Sequence, residues 1–170
     1  MALTKLNNAS VSPVTSLPNL ASLPSGIGGK VLQIKAVSDT NGFTTTSTSY
    51  AANDTMELSF TATNANTKAY ILLTSGIRAN NDQMEATVFA KINSGSYSNI
   101  GLGDRSSFIN MYSNFNGNRT MSGAGSIDKT FSNSAGDAIY CKVYVKCHSG
   151  NNGNLTETQP ATLTVFEYEI

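Results

Sequence analysis

From Lys30 onward, apolar and polar residues alternate in short runs, and clusters of Gly, Asn, Asp and Ser separate the runs. That period of two is the signature of half-buried strands. The run KVLQIKAV (30–37) sets Leu32, Ile34 and Ala36 against Gln33 and Lys35. GFTTTSTSY (42–50), rich in β-branched threonine, suits a second strand at an edge. TMELSFTAT (55–63) sets Met56, Leu58, Phe60 and Ala62 against Glu57, Ser59 and Thr61, and TNANT then turns into KAYILLTS (68–75). QMEATVFAKI (83–92) sets Met84, Ala86, Val88, Ala90 and Ile92 against Glu85, Thr87 and Lys91. SSFINMYS, SIDKTFS, AIYCKVYVKC and ATLTVFEYEI come next, divided by turn-rich pieces such as NSGSYSN, FNGN, SNSAGD and HSGNNGN. No segment holds a period of 3.6 over three turns. About eight strands at this spacing predict an all-β, antiparallel β-sandwich of jelly-roll type over residues 30–170.

Residues 1–29 differ. They hold three of the four prolines, no aromatic or acidic residue, and one charge, Lys5. Val11, Val14, Leu17, Leu20 and Leu23 recur at every third position, and Leu3 and Leu6 share that spacing upstream. Pro13, Pro18 and Pro24 rule out a helix. A period of three fits polyproline II, which lays one apolar edge along a groove and makes no core of its own. The expectation is an extended docking arm, with Leu3, Leu6, Val11, Val14, Leu17, Leu20 and Leu23 as its anchoring contacts. MALTKLNNAS has no continuous apolar stretch and does not read as a secretory signal.

The joint between arm and domain, SGIGGK (25–30), superficially resembles a phosphate-binding loop. Its spacing excludes one: Pro24 stands where the first glycine belongs, Val31 where the magnesium-holding hydroxyl belongs, and a strand comes next in place of a helix. The glycines are expected to let the backbone turn sharply.

Charged residues are 13% of the chain and the formal net charge is zero, so neither nucleic acid nor an anionic membrane is an expected partner. No stretch of ~18 apolar residues is present to span a bilayer.

Cys141 and Cys147 share the apolar parity of AIYCKVYVKC with Ile139, Val143 and Val145. Six residues of strand set them ~20 Å apart, whereas a disulfide needs Cα atoms within ~7 Å. Buried, reduced thiols are expected, as in a reducing cytosol. His148, the one histidine, follows Cys147 onto the opposite face and completes no metal set, so neither a metal nor a cofactor is expected.

Catalytic constellations are equally thin. Glu167 and Glu169 share one parity of the last strand, ~6.5 Å apart, which resembles a glycosidase carboxylate pair. A solvent-facing strand produces the same spacing, and that is the expectation here. His148 lacks a Gly-x-Ser-x-Gly elbow. GLGDRSS (101–107) lacks the strand-to-helix setting of a dinucleotide site and reads as a turn with a local ion pair. No enzymatic activity is expected.

The succession GGKVLQIKAV, TTTSTSY and LSFTATNANTKAYILL resembles a module of tailed-bacteriophage virion proteins, especially those of marine cyanophages. The closing LTVFEYEI resembles the short apolar strand, with Glu-Ile near its end, on which such proteins finish, and MALTKLNN resembles their start. The likeness runs from Gly28 to Ile170 and is closest in the first half. It implies a β-sandwich in a multi-copy virion assembly, often a homotrimer, with other capsid or tail proteins as partners. The single-domain length favours a surface decoration subunit held by its arm. The alternative is a tail-fibre or receptor-binding module touching the host surface, with a host-surface glycan as partner. The lack of tryptophan weighs against glycan stacking. A free carbohydrate-binding module or enzyme is the third reading.

Overall fold

In the computed structural model of the chain, the described residues are 30–80, 83–101, 107–112, 118–148, 153–155 and 160–169. They contain strands β1 (Lys30–Asp39), β2 (Phe43–Thr45), β3 (Ala51–Thr61), β4 (Lys68–Asn80), β5 (Gln83–Ile92), β6 (Ser98–Asn99), β7 (Ile109–Tyr112), β8 (Asn118–Thr130), β9 (Ala138–Cys147), β10 (Gly153–Leu155) and β11 (Ala161–Glu169). The proposed arm over 1–29, with its seven anchoring residues, and the glycine joint lie outside the described residues, as does most of GLGDRSS.

The strands form two antiparallel sheets packed as a sandwich. In the six-stranded sheet the long strands run β1-β11-β4-β8, with β10 and β2 extending from the second half of β4. The five-stranded sheet runs β3-β9-β5, with β6 and β7 both pairing with β5. Taken by their eight main strands, the sheets read 1-11-4-8 and 3-9-5-7. This is the strand order of a jelly roll, the architecture that two interleaved Greek keys produce. The β-sandwich expected from the alternating runs is therefore present, with a topology that alternation cannot specify.

The core lies between the sheets. Met56, Leu58 and Phe60 of β3, Ile71, Leu73 and Ile77 of β4, Met84 and Val88 of β5, Ile139, Val143 and Val145 of β9, and Leu163 and Val165 of β11 are all buried. Each such side chain contributes about 1.5–3 kcal/mol of transfer free energy. In β9 the burial alternates along the whole strand, as its sequence requires.

Three elements depart from the sequence pattern. In β1 the register against β11 shifts between Val31 and Gln33. The extra residue of this bulge reverses the facing of the residues beyond it. Ile34 is 57% exposed and Ala36 is exposed, while Gln33 points inward and Val37 packs on the core. GFTTTSTSY supplies only three residues of strand, β2, although these lie at an edge as expected. The third departure is β8, which begins at Asn118, well before SIDKTFS. Its inner positions include Gly123 and Gly125, so no apolar alternation marks it. Those glycines are where β7 closes on β8: a Cβ at Gly125 would stand 2.0 Å from the Phe108 carbonyl oxygen, and one at Gly123 2.6 Å from Ile109 Cγ2.

Candidate interaction surfaces

The reversed facing of β1 gives the six-stranded sheet an apolar outer surface. Ile34 pairs with Phe166, and Phe166 pairs with Tyr70, so the three lie in one row across three strands. The Tyr70 and Phe166 rings stand 6.1 Å apart. Ala36, Thr164 and Leu72 form the next row, and Val31, Tyr168 and Lys68 the row on the other side. Val31 is 51% exposed and Tyr70 37%. A hydrogen bond from the Tyr168 hydroxyl to Asp128 (3.2 Å) marks a polar margin. A strip of this kind, crossing three strands and bordered by charge, has the composition of a contact surface.

The outer face of the five-stranded sheet is different. The polar parity of β9, Tyr140, Lys142, Tyr144 and Lys146, meets Phe89, Lys91 and Glu85 of β5. Phe89 stacks on Tyr144 at 4.1 Å; Tyr50 comes in from a loop to lie 5.6 Å from Phe89, and Tyr97 to lie 6.2 Å from Tyr144. Lysines fill the gaps: Lys146 Nζ lies 4.5 Å from the Tyr50 ring centroid, and Lys91 Nζ lies 4.7 Å from Tyr97 and 4.8 Å from Tyr140. Two carboxylates complete the layer. Glu85 accepts from the Tyr50 hydroxyl (2.9 Å) and pairs with Lys146 (3.1 Å). Glu57 pairs with Lys142 (2.5 Å), which also reaches Asp54 at 3.0 Å. Burial, and then the neighbouring carboxylate, raise the Tyr50 and Tyr97 hydroxyls well above the usual tyrosine range. The covering loops explain why Glu85 and Thr87, polar in an alternating strand, are buried. Most of these charges and rings are already matched within the layer.

The carboxylates that resemble a glycosidase pair in the sequence do not form one. Glu167 does not face solvent: it is 1% exposed, on the inner parity of β11 with Val165, while Phe166 and Tyr168 face out. Its oxygens accept from the Thr63 amide (2.7 Å), the Thr63 hydroxyl (2.8 Å) and Gln33 Nε2 (2.5 Å), with the Thr67 hydroxyl 3.2 Å away. Burial pushes its carboxyl up, and these hydrogen bonds outweigh burial, so the net displacement is below the ordinary glutamate value. Gln33 also donates to the Thr61 carbonyl (2.7 Å), so one amide ties β1 to both sheets. Glu167 thus fixes the corner between β3 and β4. Glu169 is exposed.

Cys141 and Cys147 are free and buried, as their parity predicts. Burial pushes the Cys141 thiol up to about 12, so at neutral pH it is held as the protonated, weakly nucleophilic form. The Cys147 thiol donates to the Thr45 carbonyl at 3.2 Å. In the native chain both thiols are expected to resist iodoacetamide at pH 8 and to react fully once unfolded. Labelling of either in the folded state would show that the strand opens. His148 is exposed and its amide donates to the Gln83 carbonyl (2.8 Å). Among the described residues no three His, Cys, Asp or Glu side chains converge as metal ligands.

No protein-family model matches the chain, and no curated protein matches it. Among solved structures, a chain of the infectious bursal disease virus Gx strain structure aligns at 10% identity and a TM-score of 0.40, over 81% of this chain and 37% of its own length. Eiger TNF from S. frugiperda aligns at 10% identity and a TM-score of 0.35, over 79% of this chain and 92% of its own. This chain therefore spans a little over a third of the bursal disease virus chain. Neither likeness carries an assignment of function.

Proposed function

We propose that this chain is a bacteriophage virion structural protein, a surface decoration subunit that assembles as a homotrimer and is anchored by residues 1–29. The observation that carries the proposal is the apolar outer strip of the six-stranded sheet, Ile34, Phe166 and Tyr70 with Val31 beside them, on a jelly roll whose interior is already filled. Exposed apolar rows of this kind are satisfied by another protein surface, and closed symmetry is the usual way identical subunits do so. The sequence resemblance to phage virion modules supports the particle as the setting and threefold symmetry as the arrangement. The subunit has no enzymatic role, and its partners are further copies of itself and other capsid or tail proteins.

Two measurements test the proposal. Light scattering on the full-length chain is expected to give three times the monomer mass, and Ile34→Asp is expected to give the monomer mass with an unchanged circular-dichroism spectrum. A monomeric parent chain would overturn the trimer. Removal of residues 1–24 is expected to leave a folded domain that no longer joins the particle. Full occupancy by the shortened chain would overturn the anchor.

The alternative is a tail-fibre or receptor-binding module. The tyrosines and lysines gathered on the outer face of the five-stranded sheet favour it, since they supply an aromatic surface without tryptophan.

A further inference from the structure

β1 is weakly secured by apolar packing. It lies at the edge of the six-stranded sheet, and among the described strands its ladder runs to β11 alone. Asp39 is its one buried residue; Leu32, Gln33 and Val37 are half-buried and the other six are exposed. A strand that buries so little is held by its ladder and by polar ties.

Two carboxylates supply those ties, one near each end of β1, and both reach across to the other sheet. Near the start, Gln33 Nε2 donates to Glu167 (2.5 Å) and to the Thr61 carbonyl of β3 (2.7 Å). Glu167 also accepts from the Thr63 amide and from the Thr63 and Thr67 hydroxyls, just beyond β3. At the far end, Asp39 accepts from the Thr55 hydroxyl of β3 and from the Asn41 amide (2.8 Å). Asn53 Oδ1 braces Thr55 in turn, accepting from its hydroxyl at 2.7 Å and its amide at 3.2 Å. Both carboxylates are buried. No cation compensates them: among the described residues Lys30 and Lys35 of β1 and Lys68 of β4 make no ion pair with either. The acids of β3, Asp54 and Glu57, are held by Lys142, and Glu169 of β11 is exposed.

Gln33 Nε2 and the Thr63 and Asn41 amides donate and cannot accept. A proton on Glu167 or Asp39 therefore removes an acceptor and sets hydrogen against hydrogen. Burial pushes the Glu167 carboxyl up, but the hydrogen bonds hold it below the usual glutamate value; the Thr55 and Asn41 hydrogen bonds likewise lower Asp39. The ties therefore stand at neutral pH and are lost as pH falls through the two lowered, folded values. β1 also carries Val31, Ile34 and Ala36, the edge of the apolar outer strip.

We propose that β1 is an acid-released latch on self-association. With Glu167 and Asp39 ionised, β1 is clasped across the sandwich and the strip is complete. With both protonated, β1 parts from β3, Ile34 leaves Phe166, and the subunits separate. The latch regulates the contact face assigned above and rests on that reading.

Hydrogen exchange and light scattering on the full-length chain at pH 7 and pH 3 test it. After correction for intrinsic rates, β1 amides are expected to lose about tenfold or more of their protection at pH 3 while β9 keeps its own. The trimer mass is expected to fall to the monomer mass over the same range. Asp39→Asn combined with Glu167→Gln is expected to show a loosened β1 already at pH 7 and no further loosening at pH 3. Where that variant does not fold, the comparison of the parent at the two pH values decides. Equal protection of β1 at both pH values, β9 opening in step with β1, or a double variant as well protected as the parent would each overturn the latch. If the parent is a monomer at pH 7 and β1 still loosens in acid, self-association through the strip falls and the strand latch stands. If the trimer persists at pH 3 with β1 held, the latch falls and self-association stands. A trimer that persists with β1 loosened would overturn the control of association by β1.

Discussion

Gly125→Ala is expected to lower the melting temperature by about 6–12 °C, given the costs and scaling below. The added Cβ would stand 2.0 Å from the Phe108 carbonyl oxygen, with the Phe108 carbonyl carbon at 2.5 Å and its Cα at 2.9 Å. All three are backbone atoms, so no side-chain rotation relieves the overlap. β7 and β8 must separate, and forced repacking of this kind costs about 3 kcal/mol. In a chain of this size each kcal/mol moves the midpoint by about 2–4 °C. Gly123→Ala is the internal comparison. Its obstacle is Ile109 Cγ2 at 2.6 Å, a side chain that can turn aside, so about 1 kcal/mol is expected. Thermal melts of the two variants decide the matter. Equal small losses would mean that β7 and β8 lie farther apart than this contact requires.

Glu167→Ala is expected to cost about 2 kcal/mol, because the buried Thr67 hydroxyl and the half-buried Gln33 amide would lose an acceptor, whereas the exposed Thr63 amide and hydroxyl turn to water. Glu167 also sets part of the pH dependence. Its folded carboxyl titrates below the ordinary value of 4.5. The stability it supplies is therefore present above about pH 4.5 and is lost as pH falls through the lower, folded value. Asp39 obeys the same rule: the Thr55 hydroxyl and the Asn41 amide lower its carboxyl despite burial. Denaturant melts from acid to neutral pH are expected to show an acid limb, and Glu167→Gln is expected to make that limb shallower without abolishing it. A variant as pH-sensitive as the parent would show that Glu167 is not held ionised in the fold.

Much of the sandwich is legible in the sequence because β3, β5 and β9 bury one parity against the opposite sheet, and alternation records that constraint directly. β9 reads correctly residue by residue. β1 does not, because a bulge inserts one position and leaves no mark in the sequence, so Ile34 and Ala36 seemingly belong to the core. β11 is ambiguous for another reason. In ATLTVFEYE both parities carry large apolar groups, Val165 on one and Phe166 on the other. The sign of its facing depends on β1 and β4 beside it, and the pattern alone therefore sends Glu167 to solvent. The first half of β8 carries no signal, because close approach to β7 demands glycine where alternation would show an apolar residue. The interaction surfaces are the least legible. Tyr50 and Tyr97 reach their layer from turn-rich segments, and only a period of two in Tyr140, Lys142, Tyr144 and Lys146 hints at the face they cover.

β11 is the last strand in the described chain, yet it lies between β1 and β4 and hydrogen-bonds to both. During synthesis, β1 and β4 leave the ribosome long before the strand that joins them. Until then each exposes a row of unpaired amides and carbonyls, the condition in which strands find partners on other nascent chains. Final closure needs contacts between the most distant parts of the sequence, which places this fold among slow folders. A chain interrupted before residue 161 would keep most of the five-stranded sheet's sequence but lack the seam of the other sheet, and aggregation is its expected fate. A circular permutant that joins the ends of β1 and β11 into a hairpin would convert this last step into a local one and should fold faster than the parent.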